Sequence, residues 1–182
     1  MAVEIEKKYR LTDEQVGYLE DELARSAADF VGEEFEENTI FGGGVLDNVG
    51  AILRIRKVGA KGILTFKKRI DNDSAIKHQI EHESEFSNVT ELREIVLNLG
   101  FAPRVVYEKI RKTWLFRNVE VVLDELPFGK FMEIEGAVTD IKEAEMVLGI
   151  EGFAAENETY PRLASSTGTR VGEVIEARFP PK

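Results

Sequence analysis

Charged side chains recur at every second position in segment after segment of this 182-residue chain, and most segments hold charges of one sign. Residues two apart on a strand share a face, so each such segment has a charged side and an apolar side. VEIEKKY sets Glu4, Glu6 and Lys8 against Val3, Ile5 and Tyr9, and AILRIRK sets Arg54 and Arg56 against Leu53 and Ile55. ILTFKKR groups Thr65, Lys67 and Arg69, and IKHQIEHESEF lines up Gln79, Glu81 and Glu83 opposite His78, Ile80 and His82. YEKIRKTW pairs Lys109 with Arg111, VEVVLDEL pairs Glu120 with Asp124, and FMEIEG pairs Glu133 with Glu135 across from Met132 and Ile134.

Extended runs are expected near 2–10, 34–41, 50–58, 62–70, 76–86, 102–115, 117–124 and 130–138. Helix signals are fewer. Thr12 to Gln15 fits a capping box ahead of an apolar face of Val16, Leu19, Leu23 and Ala27. Asn88 or Thr90 opens a second helix closed by Gly100, and Thr139 or Asp140 opens a third stopped by Gly149. The expected fold class is α+β, mainly β: a closed eight-stranded antiparallel β-barrel with a few flanking helices, because a sheet this large must curl shut or protect its edges. Residues 1–165 would form this domain, leaving 166–182 as a tail, either a short helix on the barrel or a loosely held end.

If the charged faces pointed outward, they would be an ordinary solvated surface. Two features argue for the reverse. A soluble surface intersperses the signs, whereas here acidic pairs (4/6, 81/83, 133/135) and basic pairs (54/56, 67/69, 109/111) fall on separate strands. The three helices also need apolar sheet faces to pack on, and Leu53/Ile55, Leu64/Phe66 and Met132/Ile134 supply them. The charges are therefore expected to line the lumen. Carboxylates gathered there would protonate unless neutralised, and a hard divalent cation, Mg2+ or Mn2+, binds such oxygens. The arginines and lysines call for an anion with many oxygens, which guanidinium forks bind bidentately. Metal and cations in one pore point to a polyphosphate.

Composition narrows the alternatives. Hydrophobic residues make up 43% of the chain and none of its stretches is long enough for a bilayer-spanning helix. With no export pattern at the N-terminus and no cysteine, the expectation is a cytoplasmic protein, a monomer or homodimer, with no membrane partner. A net charge of −10 argues against a nucleic-acid partner.

The same segments, EIEKK, AILRIRK, LTFKK, IEHE, EKIRKTW, VVLDELPFGKFMEIEG and ETYPRL, resemble in order the signatures of the CYTH superfamily, the triphosphate tunnel metalloenzymes, over residues 3 to 163. That family includes class IV adenylate cyclases, thiamine triphosphatases and inorganic triphosphatases. The resemblance implies a tunnel that binds a triphosphate substrate with Mg2+ or Mn2+. It implies metal-binding roles for Glu4, Glu6, Glu133 and Glu135, with Asp124 close by, and for Glu81 and Glu83 a second metal site or the orientation of basic neighbours. Lys8, Arg54, Arg56, Lys67, Lys109 and Arg111 match the phosphate cradle, and Lys8, Lys67 and Glu81 are the catalytic candidates. Three positions depart from the pattern. Gln79 stands where an arginine is common, NTIFGGG stands where many members carry a tyrosine and an aspartate, and no His-Phe pair precedes Glu4 as in typical class IV cyclases.

The expected activity is metal-dependent hydrolysis of a triphosphate, inorganic or organic. Two alternatives use the same residues: an adenylate cyclase releasing cyclic AMP and pyrophosphate, and a non-catalytic polyphosphate-binding module. Other signals have plain readings. GGG at 42–44 is a turn, GEEFEE at 32–37 a solvated strand start, Trp114 outer packing, and Tyr160 a tunnel cap or core residue. His78 and His82 face away from the acidic row.

Overall fold

The computed structural model describes residues 3–70 and 77–181, with side chains described for 5–70 and 79–181. Eight strands carry the architecture: β1 (Val3–Leu11), β2 (Asp29–Gly42), β3 (Ala51–Val58), β4 (Lys61–Ile70), β5 (Lys77–Phe86), β6 (Ala102–Phe116), β7 (Val119–Leu126) and β8 (Gly129–Glu135). The neighbour order is β2-β3-β4-β5-β1-β8-β7-β6, and β6 pairs again with β2, so the ladder runs round a ring. All eight of these pairings are antiparallel.

Tight hairpins set the local registers. Val58 pairs with Lys61, Phe116 with Val119 and Leu126 with Gly129, so each turn has two residues between the paired positions. The ring is completed by two contacts between strands distant in sequence: β1 lies between β5 and β8, and the long β2 pairs with β6 from Asp29–Leu115 to Gly42–Ala102.

The helices cover the outside. α1 (Asp13–Arg25) starts on the expected capping box, Thr12 with Gln15, and α4 (Val138–Leu148) ends on Gly149 in the left-handed conformation. Leu19 and Leu23 of α1 and Ile141, Ala144 and Leu148 of α4 share one core with the outward Tyr9, Trp114, Val121, Leu123, Met132 and Ile134. Trp114 is thus outer packing, as its sequence context suggests. α3 (Val89–Asn98), capped by Asn88, puts Leu92 and Val96 on the outward Phe41 and Ile55, with Leu53 and Leu64 beside them. Among the described residues no helix is long and apolar enough to cross a membrane.

Two short helices escape the sequence reading. α2 (Val45–Val49) follows the GGG turn, whose Gly43 and Gly44 both have positive φ. α5 (Tyr160–Thr167), with Thr159 as N-cap, packs Tyr160 and Ala164 on the inward Ile40, Tyr107 and Phe131. Beyond α5, the tail segment forms strands where the sequence suggests a helix or a loose end. β9 (Thr169–Val171) pairs with β10 (Val174–Ala177), which runs parallel to β6 at Val105–Tyr107, a part of that strand that β7 does not reach. Val174 and Ile175 have the β-branched character that favours such pairing.

Gly62 permits the close approach of α3: a Cβ there would lie 2.7 Å from Val89 Cγ2. Gly62→Ala should cost about 1–3 kcal/mol through the forced displacement of the helix. Gly32→Ala, where nothing lies within 4 Å of the added carbon, should stay within about 0.5 kcal/mol of wild type. Urea unfolding of the two variants side by side checks both.

Candidate active site

The inward side chains enclose a cavity of about 550 Å³. Round the ring, charge divides into two arcs. The consecutive strands β5, β1, β8 and β7 present Glu81, Glu6, Glu133 with Glu135, and Glu120 to the cavity. Lys109 with Arg111 on β6, Arg54 with Arg56 on β3, and Lys67 with Arg69 on β4 form the basic arc. Each arc also holds one charge of the opposite sign, Lys8 on β1 and Glu36 on β2.

These exceptions stitch the arcs together. Lys8 is 2% exposed. Its Nζ lies 3.2 Å from Glu133 Oε1 and 3.7 Å from the centre of the Tyr160 ring. Glu36, 1% exposed, lies 3.3 Å from Lys109 Nζ and 3.6 Å from Arg56 Nε, and accepts a hydrogen bond from the Asn38 amide at 3.1 Å. Arg111 donates from Nε and Nη2 to the two oxygens of Asp124, at 2.8 and 2.6 Å, and from Nη2 to Glu133 at 2.8 Å. Tyr160 donates to Asp124 Oδ2 at 2.8 Å, and Lys109 Nζ is 3.5 Å from Oδ1. On the opposite side Lys67 pairs with Glu81 at 2.7 Å. Arg54 donates to Thr65 at 3.1 Å and to Glu83 at 3.2 Å, and Thr65 donates to Glu83 at 2.6 Å.

Burial alone would raise the pKa of Glu36, but Lys109, Arg56 and Arg111, with the Asn38 amide, outweigh it and hold the carboxyl at about 2. Burial likewise opposes ionisation of Glu133, and Lys8, Arg111, Lys109 and Lys67 keep it well below the carboxylate range. Lys109 shows the converse. Burial, reinforced by Arg111, pulls it down to about 8 despite Asp124 and Glu36. Burial raises the Tyr160 phenol, and Asp124 and Glu133 raise it further, so it remains a donor.

The sequence-derived cradle residues Lys8, Arg54, Arg56, Lys67, Lys109 and Arg111 all line this one cavity, as do Glu6, Glu81, Glu133 and Glu135. Glu4 lies opposite Gln79 in the strand register, and its side chain, like that of His78, is outside the described residues. Asp124 sits behind the wall with both oxygens engaged by Arg111, so it positions that guanidinium. Glu83 is at the rim, orienting Arg54 and Thr65. Gln79 is buried and lines the cavity. His82 faces outward, near Phe66.

Oxygen donors suited to a divalent cation are present. Glu6 stands opposite Glu135, and Glu135 opposite Glu120, in successive strand registers. Like charges side by side on a sheet repel, and all three line the cavity, so the row has the donor chemistry that Mg2+ or Mn2+ accepts. Among the described residues no three carboxylates or imidazoles close on one metal point. Both Glu133 oxygens are turned to cations, one to Lys8 and the other to Arg111.

Sequence reasoning missed Glu36. GEEFEE reads as a solvated strand start because Glu33, Glu34, Glu36 and Glu37 leave no alternation to follow, yet Glu36 is among the most buried charges in the chain. The surrounding VGEEFEENTIF does hold a period-two signal, Glu36, Asn38 and Ile40 against Glu37, Thr39 and Phe41. Tyr107, just upstream of the EKIR segment, and Glu120 also line the cavity.

Comparison with known proteins agrees with this geometry. The sequence model of the CYTH domain matches residues 2–157. A Methanocaldococcus jannaschii protein named as a candidate adenylate cyclase is 28% identical over 150 residues, 80% of this chain and 83% of its own. The solved structure of the PH1012 protein from Pyrococcus horikoshii is similar with a TM-score of 0.76 at 25% identity, over 88% of this chain and 98% of the other. A Hippeastrum protein, described as a candidate adenylyl cyclase with a dominant triphosphatase activity, shares the fold with a TM-score of 0.66 at 22% identity, over 88% and 93%.

The Glu36 cluster gives a stability signature. A folded-state pKa of about 2 against an ordinary 4.5 is about 3 kcal/mol of stabilisation. Because the folded pKa is the lower one, this contribution is complete above pH 4.5 and disappears as the pH falls through 2. Glu36→Gln should therefore lose about 3 kcal/mol at pH 7. In urea titrations at descending pH, the gap to wild type should narrow only below pH 4.5.

Proposed function

The chain belongs to the CYTH domain family, and from that premise we propose that it is a divalent-metal-dependent phosphohydrolase that cleaves a triphosphate bound inside the strand ring. One observation carries the reading: six basic side chains of the sequence-derived cradle converge on a single cavity that they share with the strand carboxylates Glu6, Glu81, Glu120, Glu133 and Glu135. A permanent structural ion cluster would satisfy its own donors. Here Arg54 Nε and Arg56 Nε are buried without a hydrogen-bond acceptor among the described residues, an arrangement that favours an added anion.

Glu6, Glu133 and Glu135, with Glu120 beside them, would hold Mg2+ or Mn2+, whose charge offsets that of the phosphate oxygens. The chain does the rest. Arg54, Arg56 and Arg111 grip non-bridging oxygens, with Lys8 and Lys109 between them. The transition state spreads negative charge over the transferred group, and cations held in place round the lumen stabilise it. Asp124 and Tyr160 hold Arg111 in place. Water attacks the terminal phosphorus, the bond to the bridging oxygen breaks, and the attacking water passes its proton to Glu81, which Lys67 orients. Residues 1–165 constitute the catalytic unit, and β10 from the tail buttresses β6.

The second reading is adenylate cyclisation, favoured by the name of the Methanocaldococcus jannaschii relative. In that reaction a ribose hydroxyl replaces water and attacks the α-phosphate.

Incubation with tripolyphosphate, ATP, GTP and thiamine triphosphate, each with Mg2+ or Mn2+, decides between them when every product is identified. Orthophosphate release that chelation abolishes is the expected result. Cyclic AMP with pyrophosphate establishes the second reading, and binding without turnover under either metal overturns both. Arg54→Ala and Arg111→Ala should each lower kcat/KM by about 10²–10³.

A further inference from the structure

A neutral polar side chain, Gln79, faces the cavity where the two charged arcs meet. Strands in a closed ring tilt, so residues at one height are offset from the direct register of neighbouring strands. An offset of two residues per strand, always toward the end that α5 covers, fits this ring. Arg54 pairs with Thr65, and Lys67 lies two residues on; Lys67 pairs with Glu81, and Gln79 lies two residues on. Gln79 in turn pairs with Glu4, and Glu6 lies two residues on. Continued through β8, β7, β6 and β2, the same step returns to Arg54. At this height Gln79 therefore stands between the basic Lys67 and the acidic Glu6.

Its amide is buried but not spent. Gln79 is 5% exposed, and its Nε2 has no hydrogen-bond partner among the described residues. A buried donor left unpaired is costly, and native structures keep few of them. Asn38, the other neutral polar side chain at this height, uses its amide on Glu36, to which it donates at 3.1 Å. The unpaired donors Arg54 Nε and Arg56 Nε belong to walls of the same cavity as Gln79.

Charge explains why an amide suits this place. A lysine or arginine there would pair with Glu6 beside it and take up charge that a divalent cation requires. A glutamate would compete for Lys67 and repel phosphate. The neutral amide does neither, yet its N–H donates to an oxygen. From this we infer that Gln79 is a substrate-binding residue that selects the metal-bound form of the triphosphate over the free anion. Its Nε2 donates to a non-bridging phosphate oxygen beside the carboxylate arc. The inference rests on the tunnel being a triphosphate site, and its test separates the two.

The test is a calorimetric titration of the full-length protein with imidotriphosphate, in which nitrogen replaces the bridging oxygens and blocks hydrolysis, with Mg2+ and again with a chelator. Wild type should bind more tightly with Mg2+. Gln79→Leu removes the donor and should weaken binding with Mg2+ about tenfold. It should not lower the thermal unfolding midpoint of the ligand-free protein, because Nε2 makes no bond there. Gln79→Lys should bind more tightly than wild type under chelation and gain less from Mg2+. No binding by wild type in either condition overturns the tunnel reading and this inference with it. Wild-type binding that Gln79→Leu leaves unchanged overturns this inference alone. Equal wild-type affinity in the two conditions, a lowered midpoint in Gln79→Leu, or an undiminished gain from Mg2+ in Gln79→Lys does the same.

Discussion

Lys8, Lys109, Glu36 and Asp124 are each almost wholly withdrawn from water, and none could stay ionised there alone. Mutual neutralisation inside the strand ring is the constraint on which the rest of the structure depends. It also pins the registers. Because side chains alternate along a strand, a slip of one residue in β3 would turn Arg54 and Arg56 outward and bring Leu53 and Ile55 in, leaving Glu36 with fewer cations. Removing one member of such a buried cluster costs more than the pair contributes, so the ring has few alternative ways to close.

Charge on the inside inverts the usual distribution of a small barrel and dictates where the helices go. The apolar faces of β1, β6, β7 and β8 point outward and need cover, which α1 and α4 provide, and α3 covers β2, β3 and β4. α5 is the exception, because it packs on inward side chains. Tyr160 at its start can serve both environments: its ring meets Phe131 edge-on at 5.3 Å and its hydroxyl reaches Asp124. An apolar cap on the ring is thereby joined to the cation it supports, Arg111.

What the sequence made legible follows from this. Period-two alternation locates strands, and the sorting of sign between strands tells lumen from surface, so Arg54, Arg56, Lys109, Arg111, Glu133 and Glu135 could be placed together before any coordinates. Hairpin neighbours are local and readable. The position of β1 between β5 and β8, and the β2–β6 pairing, are long-range choices with no local signature. Glu36 was hidden by acidic neighbours on both faces of its strand. α2 is too short to show periodicity. α5 holds together through contacts with the inner face of the ring, and β9 and β10 depend on the free stretch of β6.

The two-arc arrangement has a consequence for how an anion enters. Most cations in the lumen already have a carboxylate: Lys8 has Glu133, Lys67 has Glu81, Lys109 has Glu36, and Arg111 has Asp124. A phosphate approaching any of these must compete for bonds already made. Arg54 and Arg56 have carboxylate neighbours too, Glu83 and Glu36, but each also keeps a buried Nε donor without a hydrogen-bond acceptor among the described residues. They lie two apart on β3, so both donors serve one face, and an anion could take these Nε donors while competing only with the longer ion-pair contact of Arg56 to Glu36. An anion that drew Arg56 from Glu36 would leave that carboxylate to Lys109 and Arg111 alone.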